Sequence, residues 1–159
     1  MAYPAAVVQR TLPFPRERVY RAWLDPATMV RWFVDPKFTD GRAEVDERVG
    51  GHYRIFQVDP EGAMTGGSEN RILELVPNER IVLAWRFAGP DRDQDLSPES
   101  RLTVTFAEPR PGETEITVVH EQLDELSQAM PLVAGHVQQG WTDTLARLAP
   151  AIETTEVLR

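Results

Sequence analysis

Histidines and a few charged side chains are the residues of this chain whose types could support chemistry. His120 follows Ile116 and Val118 at alternating positions, so in a strand the three side chains share one face and the imidazole points inward. A neutral imidazole there could orient a ligand carbonyl or act as an acid or base. The alternative is a histidine that is only hydrogen-bonded at the edge of the core. The other polar candidates are His136, Arg54, Arg71, Glu69 and Asp46.

Sharper catalytic and metal-binding motifs fail when their positions are checked. His120-Glu121-x-x-Asp124 resembles a zinc-protease motif, but its fifth position is aspartate and the segment has the pattern of a strand end. Asp91-x-Asp93-x-Asp95 resembles the start of a calcium loop, but Leu96 and Leu102 occupy the positions that need glycine and glutamate. The sequence has no nucleophile elbow, phosphate-binding loop or dinucleotide fingerprint. No metal or cofactor is therefore expected.

Composition limits the classes of function. The 159 residues are 42% hydrophobic and 26% charged, as in a globular protein, and we expect residues 1–159 to form one domain. The absence of cysteine excludes disulfide scaffolds, thiolate metal sites and thiol nucleophiles. The net charge of −8 argues against nucleic acid and anionic membranes as partners.

The N-terminus and the basic residues bear on location and source. Met1–Arg10 has no basic region followed by an apolar stretch, so no signal peptide is predicted. No apolar run approaches the roughly 20 residues of a membrane-spanning helix. We therefore expect a cytoplasmic protein. All basic residues except Lys37 are arginine, which hints at a GC-rich bacterial genome.

Hydrophobic periodicity and turn signals predict one strand, two short helices, a run of strands and a long C-terminal helix. The helices begin at Pro15 and at Asp25-Pro26. The run of strands is predicted to be an antiparallel meander. The predicted strands and the C-terminal helix are Ala5–Leu12, Arg42–Arg48, His52–Val58, Thr65–Val76, Arg80–Phe87, Arg101–Glu108, Glu113–Glu121 and the helix Met130–Ala149.

Two glycines interrupt an otherwise regular apolar stripe on the C-terminal helix. Gly135 and Gly140 each cost about 1 kcal/mol relative to alanine inside a helix. Either the helix tolerates this weakness, or it packs closely there or leaves space beneath it.

The local sequence resembles the START-like (SRPBCC) superfamily over nearly the whole chain. The likeness is to the branch named for the activator of the heat-shock-protein ATPase of ninety kilodaltons, and it rests on an ordered set of motifs rather than on any one of them. Those motifs are Phe14-Pro15-x-x-x-Val19-Tyr20-x-Ala22-Trp23-x-Asp25-Pro26 with Trp32, Asp46-x-x-x-Gly50-Gly51-x-Tyr53, Gly62, Glu74-Leu75-Val76-Pro77-x-Glu79-Arg80-Ile81-x-x-x-Trp85, Val104-Thr105-Phe106, Thr114-x-Ile116-Thr117, His120 and Gly140-Trp141-x-x-x-Leu145-x-x-Leu148.

The resemblance implies an α+β helix-grip fold. In this fold a curved antiparallel sheet surrounds a long C-terminal helix, and two short helices follow the first strand. It also implies a cavity that binds a small hydrophobic molecule. For the strand around Tyr53, the sequence leaves open whether Tyr53 and Ile55 or His52, Arg54 and Phe56 face inward. The expected ligand-binding side chains are Tyr53, Ile55, Leu83, Trp85, Phe87, Val104, Phe106, Val118, His120, Val137 and Trp141.

Two other functions are compatible with the same resemblance. The first is a cyclase or dehydratase, for which His120 with Glu69 or Arg54 would supply the acid and base. The second is a co-chaperone-like interaction module. Fold analogy does not choose among these functions.

Overall fold

A computed structural model describes residues 2–35, 40–91 and 95–157. Seven strands and five helices account for most of this part of the chain. In chain order they are β1 (Ala6–Leu12), α1 (Arg16–Leu24), α2 (Pro26–Met29), β2 (Asp40–Val45), β3 (His52–Val58), β4 (Met64–Val76), β5 (Arg80–Ala88), β6 (Ser100–Arg110), β7 (Glu113–Glu121), α3 (Asp124–Ala129), α4 (Pro131–Ala146) and α5 (Leu148–Val157).

The seven strands form one curled antiparallel sheet in the order β1-β7-β6-β5-β4-β3-β2. Strands β2 to β7 follow one another as a meander, and β1 pairs with β7 from Ala6↔His120 to Leu12↔Thr114. The C-terminal helices pack across the concave face. The predicted α+β helix-grip fold is therefore confirmed.

Turns set the length of the strands in the meander. Between β3 and β4, the Asp59 carboxylate accepts hydrogen bonds from the backbone N–H groups of Glu61 and Ala63 at 3.0 and 2.8 Å. Gly62 then takes a positive φ of 87°, which glycine adopts without steric cost. This local chemistry closes the hairpin and fixes which residues of β3 and β4 lie opposite each other.

The two faces of β3 decide the alternative that the sequence left open for Tyr53, Arg54 and Ile55, whereas Phe56 of the opposite set is buried as well. Tyr53 and Ile55 are buried in the core. Arg54 points to the other face, where its guanidinium pairs with Glu69 at 2.5 Å and with Glu44 at 3.4 Å. Alternation along the strand then places Glu69 outward as well, between the buried Ser68 and Asn70.

The C-terminal segment differs from the single helix predicted over Met130–Ala149. It contains two helices, because the chain leaves helical hydrogen bonding at Arg147 and α5 starts at Leu148. Pro150 has no N–H to donate to the carbonyl of Ala146, which favours a break at this point. The Arg147 side chain donates instead to the carbonyl oxygen of Trp32 at 3.0 Å. Helix α3 was not predicted.

The hydrophobic core fills one end of the space between the sheet and the helices. Tyr20 and Trp23 of α1 pack edge-on against Phe106 of β6, with ring centroids 5.5 and 6.4 Å apart. Trp32 contacts Trp23 edge-on at 4.7 Å, and its indole nitrogen donates to the carbonyl oxygen of Ala22 at 3.1 Å. Helices α1 and α2 therefore cover this part of the sheet.

Candidate functional site: a cavity beneath helix α4

A cavity of about 510 Å³ lies between helix α4 and the sheet. On the sheet side it is bounded by the ends of β3, β5 and β7 and by the start of β4, and residues after α2 complete its wall. Its described lining residues are Phe33, Val34, Ile55, Phe56, Gln57, Thr65, Gly66, Gly67, Ser68, Trp85, Phe87, His120, Leu132, Val133, His136, Val137, Gly140, Trp141 and Thr144.

Glycines on opposite walls leave room for the cavity. Gly140 of α4 lines it, and a Cβ there would meet only the His136 ring, at 3.4 Å. On β4, a Cβ at Gly67 would lie 2.1 Å from the carbonyl oxygen of Ile55, so a side chain cannot fit against β3. Gly135 has no atom within 4 Å of its would-be Cβ and does not line the cavity. Of the alternatives that the sequence left open, space beneath the helix is found at Gly140, whereas Gly135 faces outward.

The described part of the cavity wall carries no charged side chain. Among the described lining residues there is no Asp, Glu, Lys or Arg, and the polar members are Gln57, Thr65, Ser68, His120, His136 and Thr144. The charged candidates from the sequence lie elsewhere. Arg54 and Glu69 pair on the outer face of the sheet, and Arg71 lies 3.9 Å from Glu99. Asp46 is bonded to Arg48 at 2.7 Å next to β2.

One end of the cavity is closed by stacked aromatic rings. Trp141 of α4 stacks on Trp23 with ring centroids 5.9 Å apart and an interplanar angle of 24°. Phe33 meets Trp141 edge-on at 6.2 Å and stacks on Trp32 at 4.0 Å. These rings are packed on several sides, so this end of the wall is held in a fixed shape.

His120 is fully buried and both of its ring nitrogens are hydrogen-bonded. The indole Nε1–H of Trp141 donates to His120 Nδ1 at 3.1 Å. Because an indole nitrogen can only donate, Nδ1 carries the lone pair and the proton of the neutral ring is on Nε2. Nε2 donates to Ser100 Oγ at 2.7 Å, and the Ser100 hydroxyl donates to the carbonyl oxygen of Trp85 at 3.4 Å.

Burial keeps this imidazole neutral. Loss of solvation lowers the pKa of His120 from 6.5 to about 4, and no charged neighbour contributes to the shift. Protonation of Nδ1 would also replace the Trp141 hydrogen bond by two opposed N–H groups. A ring with no free lone pair and a low pKa cannot take a proton from a substrate near neutral pH.

The mouth of the cavity carries exposed residues. His136 lines it from helix α4, near the first turn where Leu132 is 89% exposed. Gln57 and Thr65 face it from β3 and β4. An entering molecule therefore meets polar groups and one exposed leucine before the aromatic wall.

The structure divides the predicted ligand-binding side chains into two groups. Six of the eleven line the cavity, namely Ile55, Trp85, Phe87, His120, Val137 and Trp141. The other five do not line it and are packed in the core, namely Tyr53, Leu83, Val104, Phe106 and Val118. Sequence alternation places the predicted side chains of β5, β6 and β7 on the inner face, whereas it left the face of β3 open, and the position along the strand decides between core and cavity. Phe106 is covered by Tyr20 and Trp23, and the Tyr53 hydroxyl donates to the carbonyl oxygen of Trp23.

Several lining residues were not among the predicted ligand contacts. Phe33 and Val34 follow α2, outside the elements from which walls were expected. Ser68 follows Gly66-Gly67, a pair that reads as a bulge signal and that in fact lines the cavity. The alternation Ser68, Asn70, Ile72 with buried side chains was the available sign that Ser68 faces inward.

With the geometry described, comparison with known proteins identifies the family. Residues 13–153 match the family described as activator of Hsp90 ATPase homolog 1-like protein. The chain belongs to this family. Membership supports a ligand-binding helix-grip fold in general terms. No curated protein sequence matches the chain significantly.

Solved structures of family-like proteins share the fold. A protein from Chromobacterium violaceum is 32% identical, with a TM-score of 0.73 over 94% of this chain and 96% of that one. An HSP90 activator from Plasmodium falciparum is 22% identical, with a TM-score of 0.68 over 89% and 91%. DynU16, from the dynemicin biosynthetic locus, is 21% identical, with a TM-score of 0.69 over 95% of this chain and 48% of that one.

Metal and membrane features were also searched among the described residues. Within 2–35, 40–91 and 95–157, no group of three or more His, Asp or Glu side chains is placed to hold a metal ion. In the acidic loop, Asp95 accepts from the backbone N–H of Asp91 at 2.9 Å, whereas Asp93 lies outside the described residues. None of the described helices is long and apolar enough to cross a bilayer.

Proposed function

We propose that this chain binds a small, uncharged, largely apolar molecule in the cavity beneath α4. The observation that carries the proposal is a cavity of about 510 Å³ with aromatic walls and no described charged lining residue. Pockets of roughly 300–1,000 Å³ with apolar walls and few polar groups are typical of small-molecule sites. The proposal treats residues 1–159 as one binding domain and the cytoplasm as its location.

Apolar burial supplies the affinity in this proposal. Covering about 300 Å² of apolar ligand surface is worth about 7 kcal/mol before the cost of immobilising the ligand. Charged molecules are disfavoured, because an ion in this cavity would lose hydration and meet no opposite charge on the described lining residues. The expected ligands are therefore neutral molecules with fused or linked rings.

Binding is favoured over catalysis by the state of His120. Its two nitrogens are used by Trp141 and Ser100, and its pKa is low, so a catalytic base would have to come from elsewhere. Glu69 and Arg54 are paired with each other on the outer face and do not join it. The cyclase or dehydratase alternative therefore lacks the acid–base pair that the sequence suggested.

The co-chaperone alternative lacks a comparable observation. The large hydrophobic residues that are exposed in the described part of the chain are Val7 on β1, Val49 in the turn between β2 and β3, and Leu132 on α4. The likeness to the Plasmodium falciparum activator is at 22% identity and concerns the fold.

The test is a titration with the neutral fluorescent probe phenylnaphthylamine, using two variants of α4 that receive the same new side chain. Gly140→Leu fills the cavity, whereas Gly135→Leu places the leucine on the outer side of the same helix. We expect saturable micromolar binding by the wild type and by Gly135→Leu, and at least about ten-fold weaker binding by Gly140→Leu, the equivalent of about 1.4 kcal/mol. Absence of saturable binding to the wild type, or equal binding by both variants, would overturn the proposal.

A further inference from the structure

We infer that the hydroxyl of Ser68, which is positioned by Asn70, forms a polar subsite in the cavity wall, and that the subsite selects ligands with a carbonyl oxygen on an apolar ring system. This inference rests on the proposed binding function and specifies the class of molecule that is bound. Ser68 is 7% exposed, lines the cavity, and lies opposite Ile55 of β3 and Phe87 of β5. Both neighbours line the cavity too, so a ring held between them lies beside the Ser68 hydroxyl.

The hydrogen bonds around Ser68 leave its proton free. Asn70 Nδ2 donates to Ser68 Oγ at 3.1 Å and to the carbonyl oxygen of Tyr53 at 2.9 Å. Oγ is therefore an acceptor in this pair, and its own O–H must point elsewhere. Among the hydrogen bonds of the described residues, Ser68 Oγ takes part in one, as the acceptor from Asn70, and in none as a donor.

Asn70 gives a second, independent sign that the pair is incomplete. Its side chain is 5% exposed, yet its Oδ1 has no hydrogen-bond partner among the described residues. The carbonyl of Tyr53 fixes the orientation of the amide, because the alternative orientation would set two oxygens against each other. Asn70 is thus a positioning residue: because its amide donates to Ser68 Oγ, the O–H bond of Ser68 points away from Asn70.

The other hydroxyl groups on or near the wall differ from that of Ser68 in burial or in hydrogen bonding. Ser100, which does not line the cavity, accepts from His120 and donates to the carbonyl oxygen of Trp85. Thr65 is exposed at the mouth, and its hydroxyl lies 3.5 Å from the carbonyl oxygen of Gln57. Thr144 Oγ1 also accepts, from Arg147 at 3.5 Å, but Thr144 is only partly buried. Ser68 is therefore the buried donor of the described wall that a ligand oxygen can satisfy.

A free buried O–H has a chemical consequence for the ligand. An unpaired buried donor is costly, so a ligand that supplies an acceptor removes that cost when it binds. Because the pair offers no charge, the acceptor is a neutral oxygen, and a ketone oxygen projecting from a ring system meets the requirement.

The experiment compares two probes of nearly the same shape, acetylnaphthalene and ethylnaphthalene, by their displacement of phenylnaphthylamine. Wild type, Ser68→Ala and Ser68→Thr are compared, and Thr keeps the hydroxyl. The matched control is Ser97→Ala, which removes another buried serine hydroxyl, bonded to the Phe87 N–H and outside the cavity wall. Circular dichroism checks that each variant is folded.

The measured quantity is the ratio of the two dissociation constants. Ser68→Ala is expected to lower the preference for the ketone by about three- to ten-fold, the range of one neutral hydrogen bond. Ser68→Thr and Ser97→Ala should keep the wild-type ratio. If both probes bind and the ratio is unchanged in Ser68→Ala, the subsite is wrong while the cavity remains the binding site. If neither probe displaces phenylnaphthylamine and that dye also fails to bind, the proposed function and this inference both fail.

Discussion

Two buried polar clusters on the inner face of the same sheet differ in how completely they are hydrogen-bonded. In the His120 cluster, Trp141 donates to the ring, the ring donates to Ser100, and Ser100 donates to a backbone carbonyl. In the Ser68 cluster, Asn70 donates twice, but its own oxygen is unpaired. A cluster whose donors and acceptors are used holds the helix to the sheet, whereas one with an unused proton is available to a ligand.

The difference follows from what each cluster faces. His120 ends β7 and points at Trp141, a residue of α4 that closes one end of the cavity. Ser68 follows Gly66-Gly67 on β4 and lines the cavity beneath α4. His120 therefore has a hydrogen-bond partner on the helix, Trp141, whereas Ser68 faces the cavity and has none there.

The largest expected effect is the pH dependence that His120 gives to stability. Because its folded pKa of about 4 lies below its unfolded value of 6.5, the unfolded chain binds the proton first as the pH falls. The stabilisation that comes from this pKa difference is fully present above pH 6.5. Between about pH 6.5 and 4 it is lost, and the free energy of unfolding falls by about 3 kcal/mol in total. Urea unfolding at a series of pH values measures this slope.

The control for the pH experiment is His120→Gln, since glutamine can accept from Trp141 and donate to Ser100 without titrating. The two proteins differ only at position 120, so the difference between the two stability curves isolates the effect of His120. Parallel curves from pH 7 to 4 would show that His120 is not held neutral by the fold.

A smaller effect is expected when Ser100 is replaced by alanine. Ser100→Ala leaves the buried His120 Nε2–H without an acceptor, and an unsatisfied buried donor costs about 1–3 kcal/mol. Chemical denaturation should therefore show a loss of about 2 kcal/mol in the free energy of unfolding. A loss below about 0.5 kcal/mol would mean that the cluster does not depend on this bond.

Sequence reasoning predicted the fold well because its signals are local. Turn residues such as Asp59 and Gly62 separate the strands, and alternation in Glu113–Glu121 places His120 on the inner face, where the structure has it. The division between core and cavity was not accessible, since Phe106 and Phe87 have the same inward pattern. The first is covered by Tyr20 from α1 and the second faces open space, and this depends on how distant elements pack.

The polar part of the candidate site shows the same limit. Ser68 and Asn70 alternate with the charged Glu69 and Arg71, which indicates their face of the strand but not that Ser68 lines a cavity. Their role depends on the hydrogen bonds that their side chains do not make. These can be recognised only when the positions of Tyr53, Trp85 and the helix above them are known. His120 was predicted because an imidazole can act as an acid or base, although in the structure both of its ring nitrogens are hydrogen-bonded.

The smallest expected effect is that of Ser68→Ala on the stability of the free protein. The substitution removes an acceptor from Asn70 Nδ2, which keeps its bond to the carbonyl oxygen of Tyr53, and it also removes a buried hydroxyl proton that has no partner. These two changes oppose each other, so the free energy of unfolding should change by less than about 1 kcal/mol, clearly less than in Ser100→Ala. Denaturation of both variants under one set of conditions makes the comparison. An equal or larger loss in Ser68→Ala would show that the Ser68 hydroxyl is already satisfied in the free protein, and the contrast between the two clusters would then disappear.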